Sequence, residues 1–186
     1  FGGIDNEDIV APEGWKIRSD ASEIIVAVID SGIQTTHPDL NDNIWVNKDE
    51  IQGNGIDDDN NGYIDDINGW NFALNTPTET VDDHGTHVAG IIGAEGDNGI
   101  GATGVCWNTQ IMCIDIFGGQ NTASATNVIN GIYYAVNNGA SVINMSIGYD
   151  TGYATLLEWK DAEPALYSSY FDALNYAVNN DCCVVI

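Results

Sequence analysis

A chain of 186 residues with 44% apolar content is long enough to bury one sizeable core, which excludes wholesale disorder. Its 28 acidic side chains face only 4 basic ones, and the resulting charge of −24 excludes non-specific binding to nucleic-acid phosphates. Such an excess repels itself, so the compact state needs counterions.

The chain opens on Phe1-Gly2-Gly3 with neither an initiator Met nor a signal peptide, as expected of a mature or excised piece. The aliphatic run Ile24 to Ile29 predicts a buried parallel strand and is too short to cross a membrane. Asp30 closes that run. A lone carboxylate there is costly unless bonded or paired, and Asp30-Ser31-Gly32 turns the chain so that the carboxylate aims outward. A simple turn or helix-capping Asp is the plainer use of the same residue.

Positions 41–80 are rich in Asn, Asp and Gly and read as loop. Within the segment 53–68, Asp57, Asp59, Asn61 and Asp65 fall at positions 1, 3, 5 and 9 of an EF-hand-like ladder, with Gly62 at position 6. The ladder lacks flanking helices, and Asn68 stands where Glu is usual. Side-chain oxygens of Asp57, Asp59 and Asn61, the carbonyl of Tyr63, and Asp65 or Asp66 would hold calcium (Ca2+). The alternative is an Asx-rich flexible loop, but its crowded carboxylates repel without a cation.

His84 to Ala94 predicts a helix, in which Gly90 suggests close backbone packing. His84 sits at its N-terminus, where the helix dipole disfavours imidazolium and keeps the ring ready to accept a proton. His87 lies one turn on. A His-x-x-His metal pair lacks the Glu of zincin motifs, so His87 reads as structural.

Gln110 to Ile116 predicts a second strand, Val142 to Met145 a third and Cys182 to Ile186 a fourth. Between them lie helices over Ala125 to Asn138, with Gly139 as C-cap, and over Tyr170 to Asn180. None of Cys106, Cys113, Cys182 and Cys183 forms a CxxC pair, and the adjacent Cys182 and Cys183 read as small packed hydrophobes. The alternation predicts an α/β fold, a parallel β-sheet flanked by helices on both faces. Ligand sites in such sheets lie beyond the carboxyl ends of the strands, where Asp30 and Ser146 stand.

Two segments carry a resemblance. Val26 to Gly32 and Asp83 to Gly90 resemble the Asp and His signatures of the subtilisin-like serine proteases, the subtilase family. Asn6 to Trp15, Thr36 to Leu40, Ile100 to Val105 and Val142 to Gly148 resemble further family segments in the same order. The resemblance implies a serine endopeptidase with Asp30 and His84 as members of an Asp…His…Ser triad. Ser146, Ile147 and Gly148 would pair with the substrate backbone as an added strand, and the stretch from Gly118 and Gly119 to Ala125 would form the facing edge. Asp39, Asn98 and the carbonyls of Ile100 and Ala102 match a second calcium site that many members carry.

The family's oxyanion Asn and its nucleophile, in Gly-Thr-Ser-Met-Ala, fall beyond the strand that Cys182 to Ile186 resembles. Residues 1–186 are thus expected to be a partial peptidase domain, incomplete at its C-terminus and inactive alone. Its expected partners are a protein or peptide substrate, a propeptide and the remaining C-terminal part, with no nucleic acid and no membrane. Its expected place is outside the cell, as a secreted protein. Positions 149–169 form an insertion rich in Tyr and Leu, read as a packing or substrate-facing loop. The competing reading is a non-catalytic calcium-binding scaffold or pseudoprotease, which would have no need of both signatures.

Overall fold

The central strand β1, Asp20–Asp30, is made by its aliphatic run, which is buried from Val26 onward. In this computed structural model, which describes residues 9–78, 80–148, 152–153 and 155–186, β1 lies in the middle of a six-stranded sheet. Strand β2 is Gly69–Asn71, β3 Thr76–Pro77, β4 Asn108–Asp115, β5 Val142–Asn144 and β6 Cys183–Val185. The order across the sheet is β3-β2-β4-β1-β5-β6. All pairings are parallel except β2 with β3, so the expected parallel sheet carries one short antiparallel edge.

Side chains alternate across a strand, and here both faces find cover. Ala27, Ile29, Met112, Ile114 and Ile143 pack with helices α3, Ala125–Asn137, and α5, Pro164–Asn179. Val28, Ile111 and Cys113 pack with Ala89 of helix α2, Asp83–Gly93, on the other face. Helices therefore flank the sheet on both sides, as the alternating pattern predicts. Among the described residues no helix is long and apolar enough to cross a membrane.

Three local features differ from the sequence reading. Strand β2 lies inside the region read as loop, because three residues are too few to show a period. Its Gly69 adopts φ 128°, and a Cβ there would overlap the Cys113 carbonyl, so only glycine lets β2 close on β4. Gly90 makes no close approach; the tight helix contacts fall at Gly85 and Gly93 instead. Cys182 is buried as expected, but Cys183 is exposed.

The insertion is more ordered than a loop. A capping box of Thr155 and Glu158 opens helix α4, Leu156–Ala162. Pro164 then starts α5 ahead of the expected Tyr170, since proline at the first helical position is preorganised. Trp159 of α4 is buried against Tyr167 and Tyr170, with ring centroids 5.3 and 5.7 Å away. Residues 149–151 and 154 of the insertion lie outside the described residues, as does the part of the 6–15 lead-in before Ile9. The rest of that lead-in carries helix α1, Ala11–Trp15, whose Trp15 Nε1 donates to the Val105 carbonyl at 2.8 Å.

If Trp159 anchors the insertion to the core, Trp159→Ala should cost about 3–5 kcal/mol in urea unfolding of the full-length protein. Leu157→Ala, at an exposed position of the same helix, should change stability by no more than about 0.5 kcal/mol.

Candidate active site

Strand β1 delivers Asp30 to the carboxyl end of the sheet almost wholly buried, with 1% of its surface exposed. Its Oδ1 accepts hydrogen bonds from the backbone amide and hydroxyl of Ser31, at 2.8 and 3.0 Å. The same oxygen meets His84 Nδ1 at 2.7 Å. This contact fixes the tautomer: Nδ1 carries the proton toward Asp30, and the other ring nitrogen is left to accept one.

Helix α2 is held for that contact by two devices. Asp82, at the N-cap, accepts the His84 backbone amide at 2.8 Å and lies 2.7 Å from the Ser31 hydroxyl. It thereby ties the helix start to the turn that bears Asp30. Gly85 then allows contact, since a Cβ there would overlap the Gly32 carbonyl and crowd Asp30 Oδ1. Gly32 itself adopts φ 105°, with no room for a side chain against the Thr80 carbonyl.

The electrostatic outcome differs from the helix-dipole expectation. His84 is pushed above its ordinary value of 6.5, first by its hydrogen bond to Asp30 and then by the Asp30 charge. Burial opposes this, and the Asp82 charge adds to it. Two carboxylates thus favour the protonated ring. The side chain remains 59% exposed, open to the space in front of the sheet.

The residues expected to pair with substrate sit beside an open cleft of about 430 Å³. Ile147 and Gly148 line one wall, and Phe117 with residues 121–123 lines another. Ser146 is exposed, its hydroxyl accepting from Asn144 Nδ2 at 2.9 Å. Gly118 and Gly119 form the turn before the facing wall, at φ 57° and 79°, and do not line the cleft themselves. Buried Asp115 holds that turn by accepting the amides of Phe117 and Gly118.

The acidic loop gathers two carboxylates of the ladder read along the chain, Asp59 and Asp66, together with Glu50 from outside it. Oxygens of Glu50, Asp59 and Asp66 lie within 4.8 Å of one another. Asp66 is fully buried, and burial raises its proton affinity despite hydrogen bonds from Tyr134, Asn61 and Asn47. Such a group gains from a hard cation, so this donor set fits calcium. Asp57 instead accepts the amides of Asn61 and Gly62, and Asp65 those of Gly53, Asn54 and Gly55. Asn61 Nδ2 donates to Asp59 and Asp66. The Tyr63 ring stacks edge-on against Trp70, Phe72 and Tyr134, a core role the loop composition hides.

The second set is gathered as well. Asp39 accepts from Asn98 Nδ2 at 2.9 Å and from the Ala102 amide at 3.0 Å, while Asn98 accepts the Ile100 amide at 2.9 Å. Both Asp39 oxygens are therefore engaged by the loop that holds Asn98 and Ala102. His87 is exposed and belongs to no metal-type cluster among the described residues. Sequence reading missed Glu50, Asn47 and Tyr134, which have no motif. It also missed Asp82, whose N-cap position two residues before His84 was a readable signal.

Fold and site together define an α/β protein with a buried carboxylate bonded to an exposed imidazole at the carboxyl ends of its parallel strands. Residues 21–186 match the subtilase family, and the chain belongs to that family. Subtilisin-like protease 1 of Plasmodium berghei is 43% identical over 133 residues, covering 70% of this chain and 22% of that protein. Thermitase of Thermoactinomyces vulgaris is 29% identical over 180 residues, covering 96% of this chain and 51% of its own. The crystal structure of a lanthipeptide protease superposes with a TM-score of 0.65 at 24% identity, over 91% of this chain and 40% of that one. The chain thus spans about a fifth to a half of the curated relatives it matches.

NMR titration of the His84 ring in the intact protein should give a value above 6.5. Asp30→Asn should lower it most and Asp82→Asn by less, following the order of their contributions. Because the folded value is raised, the pair stabilises the fold fully below the unfolded value and loses that effect as pH rises through the folded one.

Proposed function

We propose that the whole protein is a serine endopeptidase of the subtilisin type. The observation that carries this reading is the 2.7 Å contact between buried Asp30 and the otherwise open ring of His84. A general base needs a fixed tautomer, a nearby carboxylate and access to its substrate, and His84 has all three. The names of relatives support it, since the Plasmodium berghei relative is called a subtilisin-like protease.

In this mechanism a serine outside these residues attacks the peptide carbonyl. The ring nitrogen of His84 that faces away from Asp30 takes the serine proton and later gives it to the leaving amine. Asp30 holds the ring and stabilises the imidazolium formed meanwhile. The peptide pairs along Ser146, Ile147 and Gly148 as an added strand, opposite the segment from Gly118 to Ala125. In the full-length protein His84→Ala should lower peptide turnover by about 10⁴-fold or more. Turnover within tenfold of wild type would remove His84 from the chemistry.

Calcium would be held by Glu50, Asp59 and Asp66, with the folded loop 53–68 around it. The ion would supply charge neutralisation there, remote from the peptide chemistry. A loop of this kind, in a chain this acidic, also suits the calcium-rich medium outside cells, which supports secretion. Ion binding to the folded form alone should raise stability by about 2.7 kcal/mol at a hundredfold excess over Kd. Thermal melting should therefore show a higher midpoint with calcium than with EGTA, and Asp59→Ala should abolish most of the difference. An unchanged wild-type midpoint would reduce the loop to a polar turn.

A further inference from the structure

The cleft beside Ile147 and Gly148 does not end in family-signature residues. Its far wall is the insertion, which contributes buried Trp159 and the exposed Glu163 at the junction of α4 and α5. Phe117, Val128 and Ile147 give the cleft apolar surface, Asn121 and Thr122 add polar groups, and Glu163 is its single carboxylate. The Tyr153 hydroxyl donates to Glu163 Oε1 at 3.3 Å, which steadies it. Among the described residues no Lys or Arg pairs with Glu163; nearby Lys160 lies over the Tyr167 ring instead.

A partly apolar cleft with one carboxylate at its wall, paired with no Lys or Arg among the described residues, matches a long side chain with an aliphatic stem and a cationic head. The −24 charge of the whole chain adds attraction for the same sign of partner. A strand added along Ser146 to Gly148 sends alternate side chains to one face, where a pocket can read one of them. We propose that Trp159 and Glu163 form a specificity pocket for a Lys or Arg side chain of the substrate, at one position flanking the scissile bond. This rests on the protease reading above, and Glu163 is the residue that sets the charge preference.

The test uses the full-length protein and peptide sets that differ only in carrying Arg, norleucine or Glu at each flanking position in turn. Wild type should show at least a tenfold higher kcat/KM with Arg than with norleucine at one position. Glu163→Gln should erase that ratio, and Glu163→Lys should turn it toward Glu. Asp161→Asn, an exposed acid of α4 outside the cleft, should keep it. Binding of labelled peptides to the His84→Ala variant, followed by fluorescence anisotropy, reads the pocket without turnover. There Arg should bind more tightly than norleucine, and adding Glu163→Gln should remove the difference. If the anisotropy difference is found without hydrolysis in wild type, the pocket stands and the protease reading falls. Hydrolysis with no Arg preference at any position, a preference that survives Glu163→Gln, or equal anisotropy for Arg and norleucine overturns the pocket.

Discussion

The first turn of α2 rests on the end of β1 with no side chain between them. Glycine at 85 meets the backbone of glycine at 32, and that approach brings the His84 ring to Asp30. A Cβ at either position would meet backbone, which cannot swing aside as a side chain can. The remaining architecture serves this contact. Strand β1 is clamped by parallel neighbours on both edges and packed on both faces, so its last residue has little freedom. Asp82 fixes the helix from its other side, through the His84 amide and the Ser31 hydroxyl.

Burying Asp30 carries a desolvation cost, which its hydrogen bonds and the imidazole offset. The same arrangement makes His84 a stronger base than its helix position alone would. A helix N-terminus acts on the ring through partial charges, whereas Asp30 is a full charge in contact with it. That contact raises the proton affinity of the ring, and the Asp82 charge adds to it.

The acidic loop is tied into the core rather than hung from it. Tyr134 of α3 reaches through the packed aromatic cluster to donate to Asp66 at 2.6 Å. Burial and the neighbouring carboxylate push the Tyr134 hydroxyl well above the usual phenol range, so it stays a donor. The loop is thereby coupled to the helix layer that covers the sheet. The insertion is anchored likewise, by Trp159 among the tyrosines of α5, and so it can hold Glu163 at the cleft wall.

Local chemistry was enough for a good part of this protein. The aliphatic run of β1, the helical spacing of α3 and the paired signatures at Asp30 and His84 could be read along the chain, because each depends on neighbours within a turn or a strand. The sequence alone thus determined the α/β class, the family likeness and the two residues that meet as a carboxylate–imidazole pair. The tertiary structure decided the rest. Strands β2 and β3 exist only because β4 and the Gly69 contact give short segments a place to pair. The ladder of Asp57 to Asp66 looks like a linear ligand set. Folding turns Asp57 and Asp65 onto backbone amides and brings Glu50 in from an earlier segment. The basicity of His84 was likewise settled by carboxylates converging across the fold, since charge acts through space and not along the chain.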